Sequence, residues 1–162
     1  MTVNLVRIDD RLIHGQIVYA WIESSKADTI LVADDSAAVD KTQQLMLKLV
    51  APKTLGFAIK SIEETVPYLQ ENEDKKVFVI VRNPESMLRL LDSGFTTDYV
   101  NLGNISASKS VTGRKTLLKN IHVEQNDVDC IKAIAEKGVR IEIQLVPDDK
   151  PIDAVELINK NY

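Results

Sequence analysis

One of the two histidines in the chain stands in a stretch dense with groups that handle charge: Arg7-Ile8-Asp9-Asp10-Arg11-Leu12-Ile13-His14-Gly15-Gln16. An imidazole that attacks and holds a phosphoryl group needs a free ring nitrogen, a cation for the phosphate oxygens and a backbone that comes close to the anion. His14 supplies the first. Arg11 offers a planar, always-charged fork suited to phosphate oxygens and is read as the clamp. Gly15 lets the main chain approach an anion without a Cβ in the way, and a helix starting near Gly15 or Gln16 would turn its unpaired N–H groups and positive dipole end toward it. A carboxylate on the non-reacting ring nitrogen would fix the tautomer. Asp10 is grouped with His14 and Arg11 as catalytic and Asp9 is kept as a second-layer candidate, although either could reach the ring.

Other polar residues have a structural reading beside a functional one. Asp34, Asp35 and Ser36 follow an apolar run, so one could cap the next helix or orient Arg11 or His14. Arg7 sits inside a strand pattern and reads as structural, Arg82 as a surface salt bridge that could instead face the site, and His122 as structural. Cys130 lies among apolar residues at helical spacing and reads as buried packing. Trp21, four residues after Ile17, reads as core or as a cover over the helix that follows His14.

These residues need a scaffold. Short aliphatic runs at residues 3–8, 29–33, 55–59, 77–81, 99–102 and 139–146 alternate with helix-patterned segments, which implies βαβ units. Val77-Phe78-Val79-Ile80-Val81 is apolar at every position, as expected for a strand covered on both faces. The expected fold is a three-layer α/β/α sandwich around an open, mostly parallel twisted sheet of about six or seven strands. Helical spacing appears at Ile17, Trp21 and Ser24, at Leu45 and Leu49, at Leu88 and Leu91 behind Pro84, and at Ile131, Ile134 and Ala135 before Gly138. Residues 70–76 form a polar link. The segment 101–122, interrupted by Gly103, Ser106, Ser108, Ser110, Thr112 and Gly113, is expected to hold a long loop and a short hairpin. In such a sheet, sites form where loops leave the carboxyl ends of the strands, which is where His14 falls.

Composition narrows the classes. A length of 162 residues with 44% hydrophobic content suits one domain over 1–162. The formal net charge of −4 argues against a nucleic-acid binder. A single cysteine rules out an intramolecular disulfide and a CxxC motif. No signal-peptide pattern or long apolar run is present, so a cytoplasmic protein without membrane insertion is expected. GxxxxGK[ST] and GxGxxG are absent. A receiver domain fits Asp9-Asp10 but lacks an aspartate after the third run, where Lys60-Ser61 stands. A metal hydrolase built on Asp9, Asp10, His14, Asp34 and Asp35 would have Arg11 in its midst, and no metal site is expected.

The stretch Arg7 to Gln16 resembles the active-site segment of IIB components of the mannose/fructose/sorbose class of the bacterial sugar phosphotransferase system. The likeness continues into Ala33-Asp34-Asp35-Ser36, Leu49-Val50-Ala51-Pro52 and Gln144-Leu145-Val146-Pro147. It implies a cytoplasmic phosphocarrier in which Nδ1 of His14 accepts a phosphoryl group from a IIA protein. The group then passes to a hexose or amino sugar at the membrane components IIC and IID. No metal or nucleotide cofactor is implied, and sugar choice would lie largely with IIC and IID. With the first strand starting near Met1, no room is expected for a fused IIA domain ahead of it, so the IIA partner should be a separate chain or lie outside this one. Lys109, Arg114, Lys115 and Lys119 could line a docking face or be plain solvated surface. The competing reading is an anion-binding regulatory module of the same fold that is never phosphorylated.

Overall fold

The computed structural model describes residues 3–107 and 113–162. Nine strands and seven helices occur among them: β1 Val3–Asp9, α1 Gly15–Ser25, β2 Thr29–Ala33, α2 Asp35–Val39, α3 Lys41–Val50, β3 Gly56–Lys60, α4 Ile62–Glu71, β4 Val77–Val81, α5 Pro84–Asp92, β5 Tyr99–Asn104, β6 Lys115–Leu118, β7 Ile121–Val123, α6 Gln125–Glu136, β8 Arg140–Ile143, β9 Ile152–Asp153 and α7 Ala154–Asn161. Seven strands form one sheet in the order β3-β2-β4-β1-β5-β8-β9, parallel except for β9. β6 and β7 form the separate antiparallel hairpin expected in the irregular segment. Ser108, Lys109, Ser110 and Thr112 lie outside the described residues.

The apolar runs form a sheet because each strand turns alternate side chains to opposite faces, and helices cover both. Leu5, Ile30, Val32, Phe78 and Ile80 pack with Trp21 of α1, Ala37 of α2 and Leu47 of α3. On the other face Ile8, Leu31, Val79 and Val81 meet Ile62 and Leu69 of α4, Met87 and Leu90 of α5, Ile131 and Ile134 of α6 and Ile158 of α7. β2 and β4 are buried along their whole length, as the unbroken apolar sequence of β4 and the run 30–33 behind Thr29 in β2 require. Helix starts follow local chemistry: Ser61 and Glu64 form a capping box at α4, and Asn83 caps α5 just before Pro84.

Some expectations need adjustment. The run 139–146 is a strand only over Arg140–Ile143; Gln144 N–H still donates to the Leu102 carbonyl at 3.2 Å, and its side-chain amide donates to the Pro147 and Asp149 carbonyls of the turn that follows. β9 is too short to leave a periodic signal. The spacing of Leu45 and Leu49 does mark α3, but both are exposed, and Leu47 is the residue that enters the core.

β1 and β5 are neighbours whose outgoing connections run to opposite edges of the sheet, β1 toward β2 and β5 toward β8. That reversal opens a crevice at their carboxyl ends. Because Ile80 is fully buried in central strand β4, Ile80→Ala should lower unfolding stability by about 3 kcal/mol in urea titration.

Candidate active site

β1 runs Leu5, Arg7, Asp9 along one face and Val6, Ile8 along the other. The first set faces α1, so Arg7 and Asp9 are held under that helix, each 1% exposed. After Asp9 the chain makes a tight turn. Leu12 N–H donates to the Asp9 carbonyl at 2.9 Å, and Arg11 N–H donates to Asp9 Oδ1 at 2.9 Å. Leu12 takes a left-handed conformation, φ +59°, and it and Ile13 are buried in the α1-side core. These two apolar side chains pin the turn and bring the next residue, His14, back over Asp9.

His14 is the N-cap of α1, with extended backbone, and its side chain makes no capping bond. Its Nε2 lies 3.2 Å from Asp9 Oδ2. An ionised carboxylate can only accept, so in this contact Nε2 is the donor, and a neutral ring so held carries its lone pair on Nδ1. Nδ1 has no hydrogen-bond partner among the described residues, and the side chain is 25% exposed. Gly15 adopts φ +43° at the first helical position, where a Cβ would meet nothing within 4 Å. Glycine is therefore needed there for its backbone conformation, and the space beside it is open. Gly15 and Gln16 are exposed, and α1 has no acidic residue in its first turn to occupy its N–H groups. The Arg11 side chain is exposed and makes no hydrogen bond or ion pair among the described residues. The open choice between Asp9 and Asp10 at the ring thus falls to Asp9.

Asp10 departs from its expected place with His14 and Arg11. One residue along the chain turns it away from the ring, and its Oδ2 accepts from Ser106 N–H at 2.9 Å. It is 5% exposed and ties the end of β1 to the segment after β5. Asp34 caps α2 through Ala37 N–H at 3.0 Å and takes both prongs of Arg82, at 3.1 and 2.9 Å. Those bonds raise the Arg82 pKa against the opposing effect of burial, with a smaller contribution from Asp10. Asp35 accepts from Ile62 N–H at 2.9 Å and Arg89 at 2.8 Å, which lowers its pKa, and Ser36 accepts from Gln43. None of the three contacts His14 or Arg11; they fasten α2, α3, α4 and α5 to the sheet edge.

His122 bonds Thr116 and the Lys119 carbonyl within the β6–β7 hairpin. Cys130 packs in α6, where burial raises its thiol pKa. Arg114 is not available as docking surface: its side chain is 9% exposed and pairs with Asp127 at 3.4 Å and Glu124 at 3.8 Å. Lys115 and Lys119 are exposed.

The layer behind Asp9 is richer than its sequence suggests. The Arg7 guanidinium donates to Asp9 Oδ2 at 3.1 Å, to the Gln144 carbonyl at 3.0 Å and to Asn101 Oδ1. Burial lowers its pKa and Asp9 opposes that shift. The Trp21 ring centroid is 5.3 Å from Arg7 Cζ, and its Nε1 donates to the Leu145 carbonyl at 2.9 Å. The motif Gln144-Leu145-Val146-Pro147 therefore serves as a back wall. Arg7 and Asp9 two apart in a strand were the available signal, since that spacing puts both on one face.

The comparisons with known proteins agree with this architecture. Residues 3–162 match the family described as the PTS system sorbose subfamily IIB component, and the chain belongs to that family. It is a IIB component of the sorbose/mannose class, a phosphotransferase module of the sugar phosphotransferase system. It is 34% identical over 151 residues to the N-acetylgalactosamine-specific phosphotransferase enzyme IIB component 1 of Escherichia coli K12, covering 91% of this chain and 93% of that one. The IIB domain of the sorbose permease from Klebsiella pneumoniae superposes with a TM-score of 0.93 at 26% identity, over 100% of this chain and 99% of that one. The mannose-specific EIIAB component of Escherichia coli K12 is 27% identical, over 99% of this chain and 49% of its own length.

Asp34→Ala would remove a helix cap and leave Arg82 without its carboxylate. Urea titration should show a loss of about 2 kcal/mol, with the His14 ring resonances unchanged.

Proposed function

We propose that His14 is the phosphoryl-carrying residue and that the chain relays the group from a IIA protein to a sugar held by membrane components IIC and IID. The observation that carries this reading is the pairing of Asp9 Oδ2 with Nε2, which leaves Nδ1 as the attacking nitrogen at the exposed start of α1. Arg11, unpaired among the described residues, supplies the fork for the phosphate oxygens. The amides of Gly15 and Gln16 supply the anion-binding end of a helix.

In the transfer, Nδ1 attacks phosphorus in line, the P–N bond of the donor histidine breaks, and the donor ring keeps the electron pair. Nε2 of His14 retains its proton throughout. Catalysis consists of alignment and charge stabilisation by residues of this chain. No helix among the described residues is long and apolar enough to cross a membrane, which suits a cytoplasmic carrier that meets its membrane partners by docking. The EIIAB relative, whose name joins a IIA and a IIB part, supports a IIA protein as the donor. Sugar choice is assigned to IIC and IID.

Incubation with phosphoenolpyruvate, the general phosphotransferase proteins and a IIA of this class should add about 80 Da, one acid-labile phosphoryl group, to the wild type. His14→Ala should show no gain and should keep the native far-UV circular dichroism. Labelling of that variant would overturn the assignment. Arg11→Lys keeps the charge but loses the fork, and rapid-quench kinetics should show transfer slowed by about ten- to a hundredfold; a wild-type rate would remove Arg11 from the site.

A further inference from the structure

We infer that buried Arg7 is a positioning residue that sets how readily His14 gives up its phosphoryl group, by sharing the carboxylate oxygen that holds the ring. This rests on the phosphocarrier reading of His14. Arg7 and His14 converge on one atom: the guanidinium reaches Asp9 Oδ2 at 3.1 Å and Nε2 reaches it at 3.2 Å. Arg7 is 1% exposed and cannot touch a docked partner.

The guanidinium is built into place from several sides. Asn101 lies opposite Arg7 in the β1–β5 register and accepts from it. Asn101 also donates to the Gln144 carbonyl, at 3.2 Å, the same carbonyl that takes Arg7. The register shifts between Ile8 and Asp9 so that Asp9 pairs with Asn104 and Gly103 is the extra residue. A Cβ on Gly103 would overlap the guanidinium. Strand irregularity, glycine and back-wall loop together make room for one cation and aim it at Asp9.

The consequence is chemical. A buried carboxylate facing only the imidazole would pull strongly on the Nε2 proton, raising electron density at Nδ1 and strengthening its bond to phosphorus. A fixed cation on the same oxygen weakens that pull. His14 then still attacks, but it also leaves as a neutral imidazole when the P–N bond breaks, as a carrier must. In the exchange with the donor histidine no proton changes place; when a sugar hydroxyl is the acceptor, Nε2 still keeps its proton and the hydroxyl gives up its own to solvent as its O–P bond forms and the P–N bond breaks.

The test compares wild type with Arg7→Gln, which removes the charge, and Arg7→Lys, which keeps it. The equilibrium between phospho-IIA and phospho-His14 should shift about tenfold toward phospho-His14 in Arg7→Gln and about twofold or less in Arg7→Lys. A merely structural role would lower stability but leave that ratio unmoved. In the unphosphorylated protein, the Hε2 resonance of His14 should move downfield in Arg7→Gln, a readout independent of phosphoryl transfer. If Arg7→Gln does not fold, Gly103→Ala displaces the guanidinium while retaining its charge and should shift both readouts in the same direction. An unchanged or oppositely shifted Hε2 in the folded variants overturns the role of Arg7 even if wild-type His14 is phosphorylated. A wild type that takes no phosphoryl group, with Hε2 moving as expected, overturns the carrier reading and leaves Arg7 acting on the ring alone.

Discussion

The Asp9 carboxylate is the interaction on which the site depends. It is almost fully buried, and a buried carboxylate needs hydrogen-bonding partners. Three donors converge on it: Arg7 from the strand, the Arg11 amide from the turn and Nε2 of His14 from the helix cap. Each joins a different element to the same group, so the end of β1, the turn and the start of α1 form one unit. The proposed chemistry of His14 rests on this contact, because Asp9 engages Nε2 and leaves Nδ1 open.

The rest of the fold supports that carboxylate at one remove. The reversal between β1 and β5 opens the crevice, the extra residue at Gly103 admits the guanidinium, and Trp21 closes over it from α1. Leu12 and Ile13 anchor the turn in the core, which lets a loop residue be placed as firmly as one on a strand. Exposure falls to Arg11, Gly15, Gln16 and one side of His14, the groups proposed to meet the phosphoryl donor.

Much of this was legible in the chain. The run 77–81 is apolar throughout because helices cover both faces, and that pattern has no other economical reading. α3 was legible as a helix but not by its buried face, since the period of Leu45 and Leu49 follows the outward side. At the site, His14, Arg11 and Gly15 stood out by type and spacing, whereas the choice between Asp9 and Asp10 did not. In a strand, one residue is the difference between two faces, and only the place where β1 ends decides which carboxylate turns toward the helix. Arg114 was illegible for another reason: its partners Glu124 and Asp127 lie ten and thirteen residues on, in a helix start whose docking no local pattern reveals. The role of Gln144 is likewise carried by its backbone carbonyl, which has no side-chain signature.

The most direct test of Asp9 as the residue that selects the reacting nitrogen is a ¹⁵N–³¹P correlation spectrum of the phosphorylated protein, labelled in its histidine rings and held at alkaline pH. The phosphorus should couple to Nδ1 of His14, with Nε2 still bearing its proton. Phosphorus bonded to Nε2 would mean that the Asp9 contact does not survive in the working state, and would contradict the site as described.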